Sequence, residues 1–201
     1  ELQNKKIAIL GFGLEGKSSL RFLEKLGIED ITILDKNTIA ETKYKNITWD
    51  VYLDNLWDYD LIFKSPGVSP FWEKLIAYRE KFISQAQVFF ENYSGKVIGI
   101  TGTKGKSTIS TLLFTCLEQA WYKVKLVGNI GNPVLDEIDI LSPEKYDYIV
   151  YEMSSYMLQD FVPNLYIWFL NNIYPCHLDW HYDSMSIYKE AKLNILKNAE
   201  Y

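Results

Sequence analysis

The stretch Thr101-Gly102-Thr103-Lys104-Gly105-Lys106-Ser107-Thr108 constrains this chain more than any other. The apolar run Lys96-Val97-Ile98-Gly99-Ile100 leads into it. A helical pattern, Thr111-Leu112-Leu113-Phe114 and then Leu117, leads out. The order is therefore strand, glycine loop, helix. Two glycines let backbone N–H groups turn toward phosphate oxygens, and the helix N-terminus adds partial positive charge. In such a loop Lys106 reaches the terminal phosphates and Ser107 holds Mg²⁺, which points to ATP. The general pattern G-x-x-x-x-G-K-[ST] wants glycine at position 100, where this chain has Ile100. A Gly/Lys-rich surface turn is the other reading; the strand before and the helix after argue against it.

Composition narrows the class. The chain has 201 residues, 48% of them hydrophobic and 23% charged, as in an ordinary globular protein. A formal net charge of −5 supplies no basic surface for nucleic acid, so no nucleic-acid partner is expected. Cys116 and Cys176 are too few for a disulfide framework and lack zinc-site spacing, which suits a reducing cytoplasm. No apolar stretch reaches the ~18 residues that span a membrane, and no signal peptide is visible. The chain starts at Glu1 without Met and stops at Tyr201 inside a helical pattern, so a fragment is expected.

Short apolar runs alternate with helical patterns. Lys5–Leu10, Ile31–Leu34, Leu61–Phe63, Val97–Ile100, Val124–Val127, Tyr148–Tyr151 and Tyr166–Leu170 read as strands. Helical patterns lie at about 16–26, 71–82, 107–120 and 184–199. This alternation predicts parallel α/β sheets. A boundary is expected near Phe90–Gly95, giving a Rossmann-like domain over 1–90 and an ATPase-like α/β domain over 91–201.

Gly11-Phe12-Gly13-Leu14-Glu15-Gly16 fits G-x-G-x-x-G between a strand and a helix, and Asp35 ends the next strand about 20 residues on. That pattern alone suggests a dehydrogenase. Nothing else in the chain supports hydride chemistry, and a glycine turn at a helix N-terminus binds any diphosphate. Ser65-Pro66-Gly67-Val68 marks a turn after the third of these strands. Glu152 ends a buried strand, where α/β sheets keep ligand groups, and suits Mg²⁺ better than a purely structural role does. The chain's two histidines, His177 and His181, fall within five residues, in the run Asn171-Asn172-Ile173-Tyr174-Pro175-Cys176-His177-Leu178-Asp179-Trp180-His181. A solvated lysine is the default for Lys192 on the last helix.

T-G-T-x-G-K-S-T, S-P-G-V, G-N-I-G (128–131), E-x-S-S-Y (152–156) and the His177 run occur in the order of one family, which this chain resembles throughout: the Mur ligases, ATP-dependent amide-forming enzymes of peptidoglycan synthesis. The glycine patterns are similar to those of the D-glutamate-adding branch. The resemblance implies substrates UDP-N-acetylmuramoyl-L-alanine, D-glutamate and ATP, an acyl-phosphate intermediate, and a cytoplasmic monomer. It assigns ATP to Gly102, Thr103, Lys104, Gly105, Lys106, Ser107 and Thr108. It assigns the UDP-sugar to Gly13, Leu14, Glu15, Asp35, Lys36, Ser65, Pro66, Gly67, Asn129 and Ser154. Metal ligation falls to Ser107, Glu152, His177 and Lys192, the last as a carbamate formed with CO₂. Catalysis falls to Lys106, Glu152, His177 and Lys192. The chain departs from the family pattern at Glu15 (Ser/Thr), Met157 (Gln) and Cys176 (Asp). The family's third domain, which takes the amino acid, would be absent, so this chain alone is expected not to ligate. Another Mur-type ligase and a degenerate, non-catalytic nucleotide-binding module are the alternatives.

Overall fold

The computed structural model describes residues 2–39, 42–137, 139 and 142–201. The chain divides into two units, Glu1–Gln85 and Ala86–Tyr201.

The first unit is a five-stranded parallel sheet in the order β3-β2-β1-β4-β5. Its strands are β1 (Ile7–Leu10), β2 (Ile31–Asp35), β3 (Lys45–Thr48), β4 (Leu61–Lys64) and β5 (Phe82–Ile83). Helix α1 (Leu14–Lys25) links β1 to β2. Every residue of β1 is buried, and its unbroken apolar run is what a central parallel strand covered on both faces requires. Ala8, Leu10, Leu34, Leu56, Ile62 and Leu75 form one buried cluster of this unit.

The expected helix over 71–82 does not form. Ile76–Lys81 is a 3₁₀ turn, and Phe82 and Ile83 are drawn into the sheet beside Ile62 and Phe63. The amphipathic spacing was real, since Leu75 is buried, but strand pairing takes the last two residues.

The second unit opens with α2 (Gln85–Asn92), whose first residue the division leaves in the first unit. The boundary expected near 90 thus falls inside a helix. Phe89 and Phe90 of α2 pack against Tyr151, with ring centroids 5.5 and 5.3 Å away. The sheet is four-stranded and parallel, in the order β7-β8-β6-β9. Its strands are β6 (Val97–Thr101), β7 (Val124–Gly128), β8 (Tyr148–Glu152) and β9 (Ile167–Leu170). Helix α3 (Lys106–Gln119) follows β6, and the short helices α4 (Val134–Glu137) and α5 (Ser155–Leu158) follow β7 and β8. Helix α6 (Met185–Leu193) ends earlier than the pattern to 199 suggested, passing into a 3₁₀ turn at Asn194–Leu196. Residues 198–201 then pair with the open edge of β9, Tyr201 N donating to Tyr166 O at 3.1 Å. No helix of the described residues is long and apolar enough to cross a membrane.

Candidate active site

The sheet order of the second unit sets its site. β8 lies directly beside β6, with Ile100 in register with Glu152, so the carboxylate stands at the strand end next to the glycine loop. Gly105 caps α3 in the left-handed region (φ 78), and no side chain caps this helix. The first-turn N–H groups have no intrahelical acceptors, so they are available to an anion. Ser107 and Thr108 are exposed there, and Lys106 lays its Nζ 3.3 Å from Thr103 O. A Cβ on Gly105 would stand 2.7 Å from Asn171 Nδ2, so only glycine serves.

Two asparagines after β9 hold the loop. Asn171 Nδ2 and Asn172 Nδ2 both donate to Lys104 O, at 2.8 and 3.1 Å. Asn172 Oδ1 accepts from Thr103 N and Lys104 N, at 3.2 and 3.0 Å. The amides of Thr103 and Lys104 are therefore engaged within the protein. The Thr103 hydroxyl lies 2.7 Å from Tyr188 OH and accepts from Tyr174 N at 2.9 Å. The sequence reading gave Asn171 and Asn172 no role. Their position after a strand neighbouring the loop was the available signal.

Glu152 is fully buried. Its Oε1 accepts from Asn129 Nδ2 at 2.9 Å, while Oε2 has no partner among the described residues. Leaving a buried carboxylate oxygen unpaired is costly, and a hard cation with oxygen ligands would satisfy it. Lys192 is 1% exposed, its Nζ donating to Gly102 O at 2.8 Å with Thr101 Oγ1 at 3.4 Å. Burial, aided by the Lys106 charge, lowers its pKa to about 7. A large share of this amine is thus neutral near pH 7, the form that can attack CO₂.

His177 is exposed on a left-handed residue (φ 52), its ring 5.4 Å from that of Tyr156. Among the described residues no group of three His, Cys, Asp or Glu side chains is arranged to hold a metal. Ser154 caps α5, its hydroxyl accepting from Met157 N at 3.2 Å, and Met157 is buried. Gln159, the C-cap of α5, meets His181 Nδ1 at 3.0 Å.

In the first unit, Ser65 Oγ donates to Gly11 O at 2.7 Å and joins the S-P-G loop to the glycine turn. A Cβ on Gly16 would lie 2.1 Å from Gly11 O, which is why α1 can start so close to β1. Asp35 is committed to the protein: Oδ2 accepts from Phe12 N at 2.6 Å, and Oδ1 from Asn37 N and Nδ2 at 2.8 and 3.1 Å. Gly13, the N-cap of α1, makes no side-chain cap. Beside it lies a pocket of about 640 Å³ lined by Phe12, Gly13, Lys17, Arg21, Asp35 and Asn37 among others. Gly13, Leu14, Lys36 and Gly67 are exposed, and Pro66 is half-buried. Glu15 is half-buried, and burial raises its pKa to about 7 against the opposing Lys64 charge. A neutral carboxylic acid at this turn would not repel phosphate as a carboxylate would.

Comparison with known proteins agrees with this geometry. Residues 100–201 match the family model of the Mur ligase middle domain. The chain is 34% identical to a curated UDP-N-acetylmuramoylalanine--D-glutamate ligase of Acetivibrio thermocellus, over 98% of this chain and 44% of that protein. Identity to the like-named protein of Clostridium novyi is also 34%, over 99% of this chain and 45% of that one. The chain thus spans under half the length of these relatives. The crystal structure of UDP-N-acetylmuramate-alanine ligase MurC from Thermotoga maritima shares the fold, with a TM-score of 0.50 at 20% identity over 98% of this chain and 48% of that one. With the middle-domain match over the second unit and curated relatives aligned along nearly the whole chain, this protein belongs to the Mur ligase family.

Proposed function

We propose that this chain supplies the UDP-sugar- and ATP-binding parts of a cytoplasmic, monomeric ligase that joins D-glutamate to UDP-N-acetylmuramoyl-L-alanine in peptidoglycan synthesis. The observation that carries the reading is the uncapped start of α3, with Lys106, beside a buried carboxylate that has one unpaired oxygen. The names of the curated relatives favour D-glutamate as the amino acid.

In the reaction, the alanine carboxylate attacks the γ-phosphorus of ATP, forming an acyl phosphate and releasing ADP. The amine of D-glutamate then attacks the acyl carbon; the C–N bond forms, the C–O bond to phosphate breaks, and the amine proton is lost. The α3 first turn and Lys106 hold the terminal phosphates and offset the charge that develops there. Glu152 Oε2 and Ser107 would hold Mg²⁺, with His177 supplying a further ligand; the bound cation neutralises phosphate charge. Asn129 holds Glu152 in place. The neutral Lys192 amine would add to CO₂, forming a C–N bond and releasing one proton, and so become an anionic oxygen ligand. In the first unit, the glycine turn with Gly13, Leu14 and Glu15 would take the diphosphate, and Asp35 shapes its floor. Lys36, Ser65, Pro66 and Gly67 are assigned to the same ligand, and Asn129 and Ser154 to its muramoyl part.

Calorimetric titration of UDP-N-acetylmuramoyl-L-alanine into this chain, with Mg²⁺ present and NADH as a parallel control, tests the reading. Heat with the UDP-sugar and none with NADH is expected. Binding of NADH alone would return the first unit to the dehydrogenases.

A further inference from the structure

His181 has no part in the reaction outlined above, yet it is fully buried in the second unit and bonded at both ring nitrogens. Nδ1 lies 3.0 Å from Gln159 Oε1 and Nε2 lies 3.0 Å from Ser155 Oγ. An amide oxygen only accepts, so Nδ1 carries the proton and Nε2 accepts from the serine hydroxyl. Both partners belong to α5 or its C-cap, the helix that begins three residues after Glu152. His181 itself ends the short turn Leu178–His181, which starts at His177. That turn is bracketed by left-handed residues that are not glycine: His177 (φ 52) before it, Tyr182 (φ 57) and Asp183 (φ 51) after it. Such backbone persists only where neighbouring structure holds it. Rings of Trp180 and Tyr188 close around the imidazole, with centroids 4.7 and 5.2 Å away, and Tyr188 OH reaches the glycine loop at Thr103.

We propose that His181 is a positioning residue: bonded through both nitrogens to α5, it holds the strained turn that carries His177 to the segment that carries Glu152, and so sets the placement of the metal ligands. Serine, histidine and amide lie at the spacing of a nucleophile, a base and its orienting group. Burial decides against that use, since Ser155 is 4% exposed and His181 0%. The inference rests on reading His177 as a metal ligand.

The test uses the whole 201-residue chain, with Mn²⁺–ATP as the probe and histidine ring NMR as the ligand-free readout. In the wild type the His181 ring is expected as a single tautomer protonated at Nδ1. His181→Phe keeps a flat ring and removes both hydrogen bonds; it should weaken Mn²⁺–ATP binding at least tenfold and shift the His177 ring signals. Ser155→Ala, a milder change for folding, should shift the same His177 signals. His181→Gln, whose amide can still meet Ser155, should recover most of the affinity. If His181→Phe lowers the melting temperature while His177 signals and Mn²⁺–ATP affinity stay at wild-type values, His181 is core filling and the proposal falls. If the wild type itself fails to bind Mn²⁺–ATP, the metal reading fails, and the His177 shift in Ser155→Ala still decides the coupling.

Discussion

Single residues carry unusually sharp requirements at the two glycine turns. Gly105 combines φ 78 with a neighbour 2.7 Å from where a Cβ would sit. Gly105→Ala should destabilise the protein by about 1–2 kcal/mol, the cost of a left-handed residue with a side chain, by urea denaturation. The same change should weaken ATP binding by calorimetry, because the new Cβ displaces the Asn171 amide that holds Lys104 O and strains the left-handed residue that starts α3. Glu15 makes a prediction in pH. Its pKa is about 7 in the folded chain against an ordinary 4.5. Between these values the native state binds more protons than the unfolded one, so this group's contribution is full below pH 4.5 and lost as pH rises through about 7. Glu15→Gln should remove that loss. The difference in melting temperature between variant and wild type, scanned from pH 4 to 8, should therefore grow in the variant's favour toward pH 8. A flat difference would mean that the carboxyl is not desolvated.

Among elements, the loop before α3 depends on the segment after β9. Asn172 accepts from two loop amides and donates to Lys104 O. Asn172→Ala should speed hydrogen exchange at Lys104 by more than tenfold, with less effect at Thr103, whose N–H keeps the backbone carbonyl of residue 172 at 2.9 Å, while leaving exchange in the core of β6 unchanged. If those amides already exchange freely in the wild type, the clamp does not operate in solution. The segment over 71–82 shows the opposite balance. Its spacing suits a helix, yet pairing of Phe82 and Ile83 with β4 satisfies backbone groups that a helix ending there would leave to caps. The short turn at Ile76–Lys81 is what remains of the helical pattern.

For the molecule as a whole, the position of α2 is the testable point. Phe89 is fully buried against Tyr151, which assigns this helix to the second unit. A chain beginning at Ser84 should unfold cooperatively in urea, and one beginning at Glu91 should not. Phe89→Ala alone should cost about 3–5 kcal/mol.

Much of this architecture was legible in the sequence because its signals are local. An apolar run followed by glycine, lysine and a helical repeat specifies strand, loop and helix over contiguous residues, and it marked both turns and Glu152 at its strand end. Asn171 and Asn172 were different: nothing in an Asn-Asn pair says which loop it will hold. Likewise the bonds of His181 to Ser155 and Gln159 join residues more than twenty positions apart. The strands at Lys45–Thr48 and Phe82–Ile83 were also missed, being short edge pairings without an apolar run of their own. The sequence by itself determined the central strands, the helices after the two glycine turns and the parallel class, and it put Glu152 at a strand end, since those follow from periodicity and residue type. Only the tertiary structure decided the raised pKa of Glu15 and the lowered pKa of Lys192, the commitment of Asp35 to Phe12 N, and the clamp on the glycine loop. Burial and distant hydrogen bonds set these, and neither exists until the chain has folded.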